Sequence, residues 1–142
     1  MSNKKPSVNI PQVKHAQADE LLVRFSFTHI NSQNEKFSHT NCSTEYFCKL
    51  FSILRRFSTW RVGDFVDQNN DEHRHTIDFS QTSEPDGFQL QGVDAEQFGF
   101  HEGWQFSVFP EQPWCLWRAH GVLVDDTFYV VWLDPNHLLY PA

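Results

Sequence analysis

The stretch Arg118-Ala119-His120-Gly121-Val122-Leu123-Val124-Asp125-Asp126-Thr127-Phe128-Tyr129-Val130-Val131-Trp132-Leu133 decides the fold. Two runs rich in β-branched and aromatic residues flank an Asp-Asp pair, the pattern of a β-hairpin closed by a two-residue turn. That turn sets the register: Val124 opposite Thr127, Val122 opposite Tyr129, His120 opposite Val131 and Arg118 opposite Leu133. Because strand side chains alternate, Trp117, Ala119, Gly121 and Leu123 share one face with Phe128, Val130 and Trp132. Arg118, His120, Val122, Tyr129, Val131 and Leu133 share the other. The first face is apolar and needs a covering layer, with small Ala119 and Gly121 leaving room for Val130 and Trp132. The second is either open or covered by loops.

The covering layer lies upstream. Phe47, Leu50, Phe51, Leu54 and Phe57 follow the 3.6-residue repeat of a helix over residues 44 to 57, capped by Ser43 or Asn41 and carrying Lys49, Arg55 and Arg56 outside. Trp60, Val62, Phe65 and Val66 give a short second helix, with Ser58 or Thr59 as its cap. Leu21, Val23, Phe25 and Phe27 alternate with Leu22, Arg24, Ser26 and Thr28 as in a half-buried strand. Weaker alternation over His73 to Phe79, one helical turn at 94 to 98, and a strand through Trp104, Phe106 and Val108 ending at Pro110 complete the order. Ser83-Glu84-Pro85-Asp86-Gly87 is a turn signal. Residues 1–18 are polar, hold Pro6 and Pro11, and read as a flexible arm; residues 19–142 read as one domain. The expected fold is α+β, a four or five-stranded antiparallel sheet with one long and one short helix packed on one face.

The chain of 142 residues, 39% hydrophobic with 14 Phe and 5 Trp, is large enough to bury a core without disulfide or metal staples. No apolar run approaches the length of a membrane span, and the amino terminus lacks an apolar leader segment, so a cytoplasmic location is expected. Cys42, Cys48 and Cys115 are odd in number and form no Cys-x-x-Cys pair, which suggests reduced thiols. Among the histidines, His73 and His75 share a strand face near Asp78, with His101 or His137 as the third ligand a metal would require. No zinc spacing supports that set, and no metal or cofactor is assigned. Net charge is −7, but residues 1–61 carry +5 whereas residues 62–142 hold fourteen acids against only Arg74 and Arg118, a net −12. This asymmetry suits either a solvated acidic surface or a basic face for a polyanion beside an acidic face for a protein.

On the second hairpin face His120 and Tyr129 are diagonal neighbours and Arg118 lies one pleat along. Cleavage of RNA by its own 2′-hydroxyl needs a base, a donor to the leaving oxygen and a cation on the phosphorane, which His, Tyr and Arg supply without metal. His137 and Tyr140, after the turn Asp134-Pro135-Asn136, can close over this face. Alternatively Asp134 caps a terminal turn whose Leu138, Leu139 and Tyr140 seal the core.

A strand, two helices, then an antiparallel sheet ending in an Arg-bearing hairpin and a terminal His and Tyr resembles the RelE/ParE superfamily of small type II toxins, mainly over Arg118 to Tyr140. The resemblance implies a metal-independent endoribonuclease, with Arg118 as the phosphate contact and His137 and Tyr140 as acid/base or base-stacking groups. An antitoxin and RNA are then the implied partners. The terminal segment also resembles uncharacterised proteins of mobile elements and gene cassettes. Two readings compete. One is a toxin-like endoribonuclease or nucleic-acid-directed effector of a mobile element using Arg118, His120, Tyr129, His137 and Tyr140. The other is a non-enzymatic binding protein, possessing a face for another protein, a small ligand or a second copy of itself, and the −12 of the second half fits it better.

Overall fold

The computed structural model describes residues 18–68, 72–90 and 101–141. The proposed turn at 94–98 and all but the last residue of the proposed arm lie outside them. Strands β1 (Arg24–Ser26), β2 (His75–Thr76), β3 (Gly103–Ser107), β4 (Arg118–Val124) and β5 (Thr127–Asp134) form one sheet in the order β1-β5-β4-β3-β2. All neighbours are antiparallel except β1, which runs parallel to β5. The α+β expectation holds, with that one parallel edge. Helices α1 (Thr44–Phe57) and α2 (Val62–Phe65) supply the layer on one face.

The Ser43 hydroxyl accepts the Tyr46 N–H at 3.0 Å and so caps α1. The buried stripe of α1 is Tyr46, Leu50, Ile53, Leu54 and Phe57, whereas Phe51 is 62% exposed and Phe47 only partly buried. The helix is thus rotated from the expected face. Its anchor is chemical: the Tyr46 hydroxyl donates to the Arg118 carbonyl at 2.7 Å, in a place where an unpaired hydroxyl would be costly. No side chain caps α2; Arg74 holds its end instead, donating to the Asp64, Phe65 and Asp67 carbonyls with its guanidinium over the Trp60 ring.

The hairpin turn is as expected, and pairing follows the expected register from Val124–Thr127 through Gly121–Val130. There a β-bulge intervenes. His120 pairs with Trp132, Ala119 with Leu133 and Arg118 with Asp134, leaving Val131 as the extra residue. Val131 and Trp132 consequently face the same side, and every later side chain of β5 is flipped. Leu133 packs with the helices, while Trp132 joins Val122, Val131, Phe37, Ile77, Phe88 and Leu139 on the second face. This corrects the expected faces: Trp132 leaves the helix side and Leu133 enters it. The loop before α1 grips the bulge, since Asn31 N–H donates to the Val131 carbonyl at 2.9 Å and Leu133 N–H to the Phe37 carbonyl at 3.2 Å.

The second face is therefore a second core, roofed by residues 29–41, 77–90 and 135–141. Lys36 ties two of these segments together through Ser83 Oγ (3.0 Å) and Glu84 (2.8 Å). Ser83 ties in the third, donating its N–H and hydroxyl to the carbonyls of Leu139 and Leu138. Asp134 accepts the N–H groups of Leu138 and Leu139 at 2.8 and 3.0 Å and so caps the terminal turn, with Leu139 fully buried. Ion pairs join the basic first part of the chain to the acidic second part: Arg24 to Asp126, Lys36 to Glu84, and Arg56 to Glu72 and Glu111.

Gly121 sits beside the bulge, where a Cβ would lie 2.5 Å from Phe128 Cε1 and closer still to the Tyr129 carbonyl oxygen. Gly121→Ala is expected to destabilise the fold by about 1–3 kcal/mol or more through overpacking. Urea denaturation checks this, and an unchanged midpoint would show that β4 and β5 do not approach so closely.

Candidate functional site

Cross-strand pairing aligns one residue from each of four strands on the second face: His75 opposite Gln105, Gln105 opposite His120, and His120 opposite Trp132. The first three are hydrogen-bonded in series. The His75 Nδ1–H donates to the Thr76 carbonyl at 2.8 Å, and its Nε2 accepts from the Gln105 amide at 3.0 Å. The Gln105 Oε1 in turn accepts the His120 Nε2–H at 3.0 Å. The bare Nδ1 of His120 is buried without a partner. Burial first, then the neighbouring His137, Arg118 and His75, push the His120 pKa down to about 3, so its imidazole is neutral in ordinary buffers.

This row does not assemble the triad expected from alternation. Arg118 is 5% exposed and donates to the carbonyls of Cys115 and Trp117 at 3.2 and 3.1 Å; its Nε is buried and unpartnered. Burial lowers the Arg118 pKa, against the opposing influence of Cys115 and Asp134. The ring neighbours of His120 are Phe37 and Trp132, whereas Tyr129 lies against His29 at 5.4 Å. His137 donates from Nδ1 to the Tyr140 carbonyl at 2.7 Å, and the Tyr140 ring meets His75 edge-on at 5.8 Å. Burial raises the Tyr140 pKa. His137 and Tyr140 do close over the second face as part of its roof, and Arg118 and His120, at 5% and 0% exposed, are buried out of reach of a polymer. A base with a pKa near 3 and no route to solvent is also poorly matched to proton abstraction near neutral pH.

Open space lies at the other end of the row. A cleft of about 400 Å³ is lined by His29, Ile30, Asn31, Gln33 and Asn34 from one loop, Glu84 and Gly87 to Leu90 from another, and Trp132 beneath. Trp132 is 1% exposed, stacked on Phe37 at 4.5 Å, with the Phe88 ring edge-on at 4.7 Å. Its indole N–H is the third buried polar group without a partner. Gly87 (φ 79°) and Gln89 (φ 53°) bend the second loop around the cleft in left-handed conformations, of which only the first suits its residue without strain. Among the described residues no group of three or more His, Cys, Asp or Glu is placed to hold a metal ion. No described helix is long and apolar enough to cross a membrane.

Of the residues that shape this region, sequence reasoning passed over Gln105, Trp132 and the polar rim. Gln105 carried a signal, being the polar residue between Trp104 and Phe106 in a strand that proves buried on both faces. Asn31, Gln33 and Asn34 carried none, since an ordinary exposed loop has the same composition. Comparison with known proteins gives no match among family models, curated proteins or solved structures.

With a folded pKa of about 3 against an unfolded value near 6.5, His120 takes up a proton on unfolding when the pH lies between about 3 and 6.5. Its contribution to stability is whole above about pH 6.5 and is lost as the pH falls toward 3, on the order of a few kcal/mol by pH 4. Denaturation midpoints measured from pH 7 to 4 should fall less steeply in His120→Gln than in wild type. Equal slopes would contradict the buried, neutral state of this ring.

Proposed function

We propose that this protein is a non-enzymatic binding module that takes a small molecule into the cleft above Trp132. The observation that carries this reading is the cleft itself, a concave site within the size range of ligand pockets. It places side-chain amides around apolar walls of Ile30, Phe88 and Leu90, the division of labour by which such pockets gain area from apolar groups and orientation from a few polar ones. Beneath it the Trp132 ring is packed between Phe37 and Phe88, so binding does not have to order that part of the floor.

The charge pattern supports the same reading. Arg74 and Arg118, the two cations of the second half, are both buried and spent on backbone carbonyls. Arg24, Lys36 and Arg56 from the first half are paired with acids of the second. Such an arrangement answers part of the asymmetry of the sequence within the molecule; Lys49, Arg55 and Arg61 stand outside these ion pairs, and phosphate-backbone recognition depends on many such unspent cations.

In a saturation-transfer NMR screen of a fragment library, hits are expected to shift the signals of Asn31, Gln33, Asn34 and Gln89. Gln33→Trp, a change at an exposed rim position, should weaken those hits by about tenfold or more without altering the melting temperature. Hits that map elsewhere would contradict the proposal. So would degradation of single-stranded RNA by the purified protein that His120→Ala abolishes.

A further inference from the structure

We infer that the outer edge of β1, with the apolar groove beside it, takes an extended acidic segment of another protein as an added strand of the sheet. The Arg24 N–H points inward, donating to the Asp126 carbonyl at 2.8 Å, so the backbone N–H and carbonyl of Phe25 point away from β5. Residues 60–62 cover that outer side only upstream, where Val23 N–H donates to the Trp60 carbonyl and Val62 N–H to the Leu21 carbonyl. Beyond them the Phe25 N–H and carbonyl and the Phe27 N–H have no backbone partner among the described residues. An edge left open in this way is a template for a further strand.

Side chains along the same stretch offer a seat. Phe25 and Phe27 alternate onto the face that α1 covers, and Phe27, Leu50, Phe51 and Leu133 enclose a groove of about 350 Å³ with almost wholly apolar walls. Phe27 and Phe51 are 43% and 62% exposed, so this layer of the core is incomplete at the edge. A strand laid along Phe25 to Phe27 would turn every second side chain into the groove and the others to the opposite face.

Charge names the occupant. Arg61 pairs with Leu22 and so shares with Arg24 the face opposite the groove, while Arg55 follows Phe51 by one turn of α1. Arg55 and Arg61 are exposed and have no acid partner among the described residues. Of the acids nearby, Asp126 is bound to Arg24, Glu45 is turned about 200° from Phe47 around α1, and Asp19 and Glu20 lie beyond the covered stretch, beside α2. A second copy would set the same arginines against one another across the edge. Residues 1–17 hold Lys4, Lys5 and Lys14 and no acid, so they match it no better. A strand that alternates apolar and acidic residues satisfies the open amides, the groove and the arginines together.

The test titrates the full chain with three acetylated and amidated heptapeptides: EVEVEVE, its lysine counterpart KVKVKVK, and a fully N-methylated EVEVEVE that cannot donate to a strand edge. Proton–nitrogen NMR follows the backbone amides of Phe25 and Phe27. EVEVEVE is expected to shift both, to protect them from solvent exchange, and to bind about tenfold or more tightly than the other two. Phe51→Ser and Arg61→Glu, both at exposed positions, should weaken it by about tenfold and threefold without changing the melting temperature. Equal binding of KVKVKVK, or binding that both variants leave unchanged, overturns the proposal, as does failure of EVEVEVE to shift either amide. Protection of the Phe25 N–H in the chain without peptide also overturns it: sedimentation as a dimer would then assign the edge to a second copy, and as a monomer to the chain itself.

Discussion

Val131 is one residue more than β4 can match, and the character of the second sheet face follows from that surplus. Without the bulge, Trp132 would lie among the helices and Leu133 opposite Arg118, with nothing large enough to support Phe37 and Phe88. With it, the indole stands beside His120, Phe37 stacks on it, and the loop that carries Phe37 is drawn across the sheet. The Asn31–Val131 and Phe37–Leu133 backbone bonds satisfy the β5 edge past the short β1, so the same loop that roofs the face also stops the edge from pairing elsewhere. Gly121 makes the bulge sterically possible, because no side chain fits where the Tyr129 carbonyl approaches.

This dependence explains which parts of the fold were legible in the sequence. The hairpin was readable because Asp125-Asp126 separates two strand-like runs, and Asp125 does take the positive φ (55°) that such a turn demands. The α1 range and its Ser43 cap were readable from spacing. The faces of β5 were not, since Tyr129 to Leu133 is an unbroken apolar run in which a one-residue shift leaves no polar residue in the core to betray it. On α1, a stripe through Phe47 and Phe51 and one through Tyr46 and Ile53 share Leu50, Leu54 and Phe57. The choice between them was made by a tertiary hydrogen bond to Arg118, which periodicity does not contain.

The candidate site followed the same logic. Alternation rightly put Arg118 and His120 on one face, but it could not reveal that residues 29–41, 77–90 and 135–141 cover that face. Under this roof the polar side chains do structural work: His75, Gln105 and His120 satisfy one another across three strands, and Arg118 gathers the carbonyls of the loop before β4. A buried row of this kind fixes strand alignment, because a slip by one residue would strand each polar group among apolar neighbours. The cleft opens where the row ends, at Trp132, between loops whose polar residues look like any solvent-facing turn.

The central claim is that the bulge at Val131 delivers Trp132 to the loop-covered face. Nuclear Overhauser contacts of the Trp132 indole protons in an isotope-labelled sample test it most directly. The account predicts cross-peaks to the rings of Phe37, Phe88 and His120 and none to Ile53 or Leu54 of α1. Cross-peaks from Trp132 to those helix residues, with Leu133 showing the contacts to Phe37 instead, would mean a regular ladder and would contradict it.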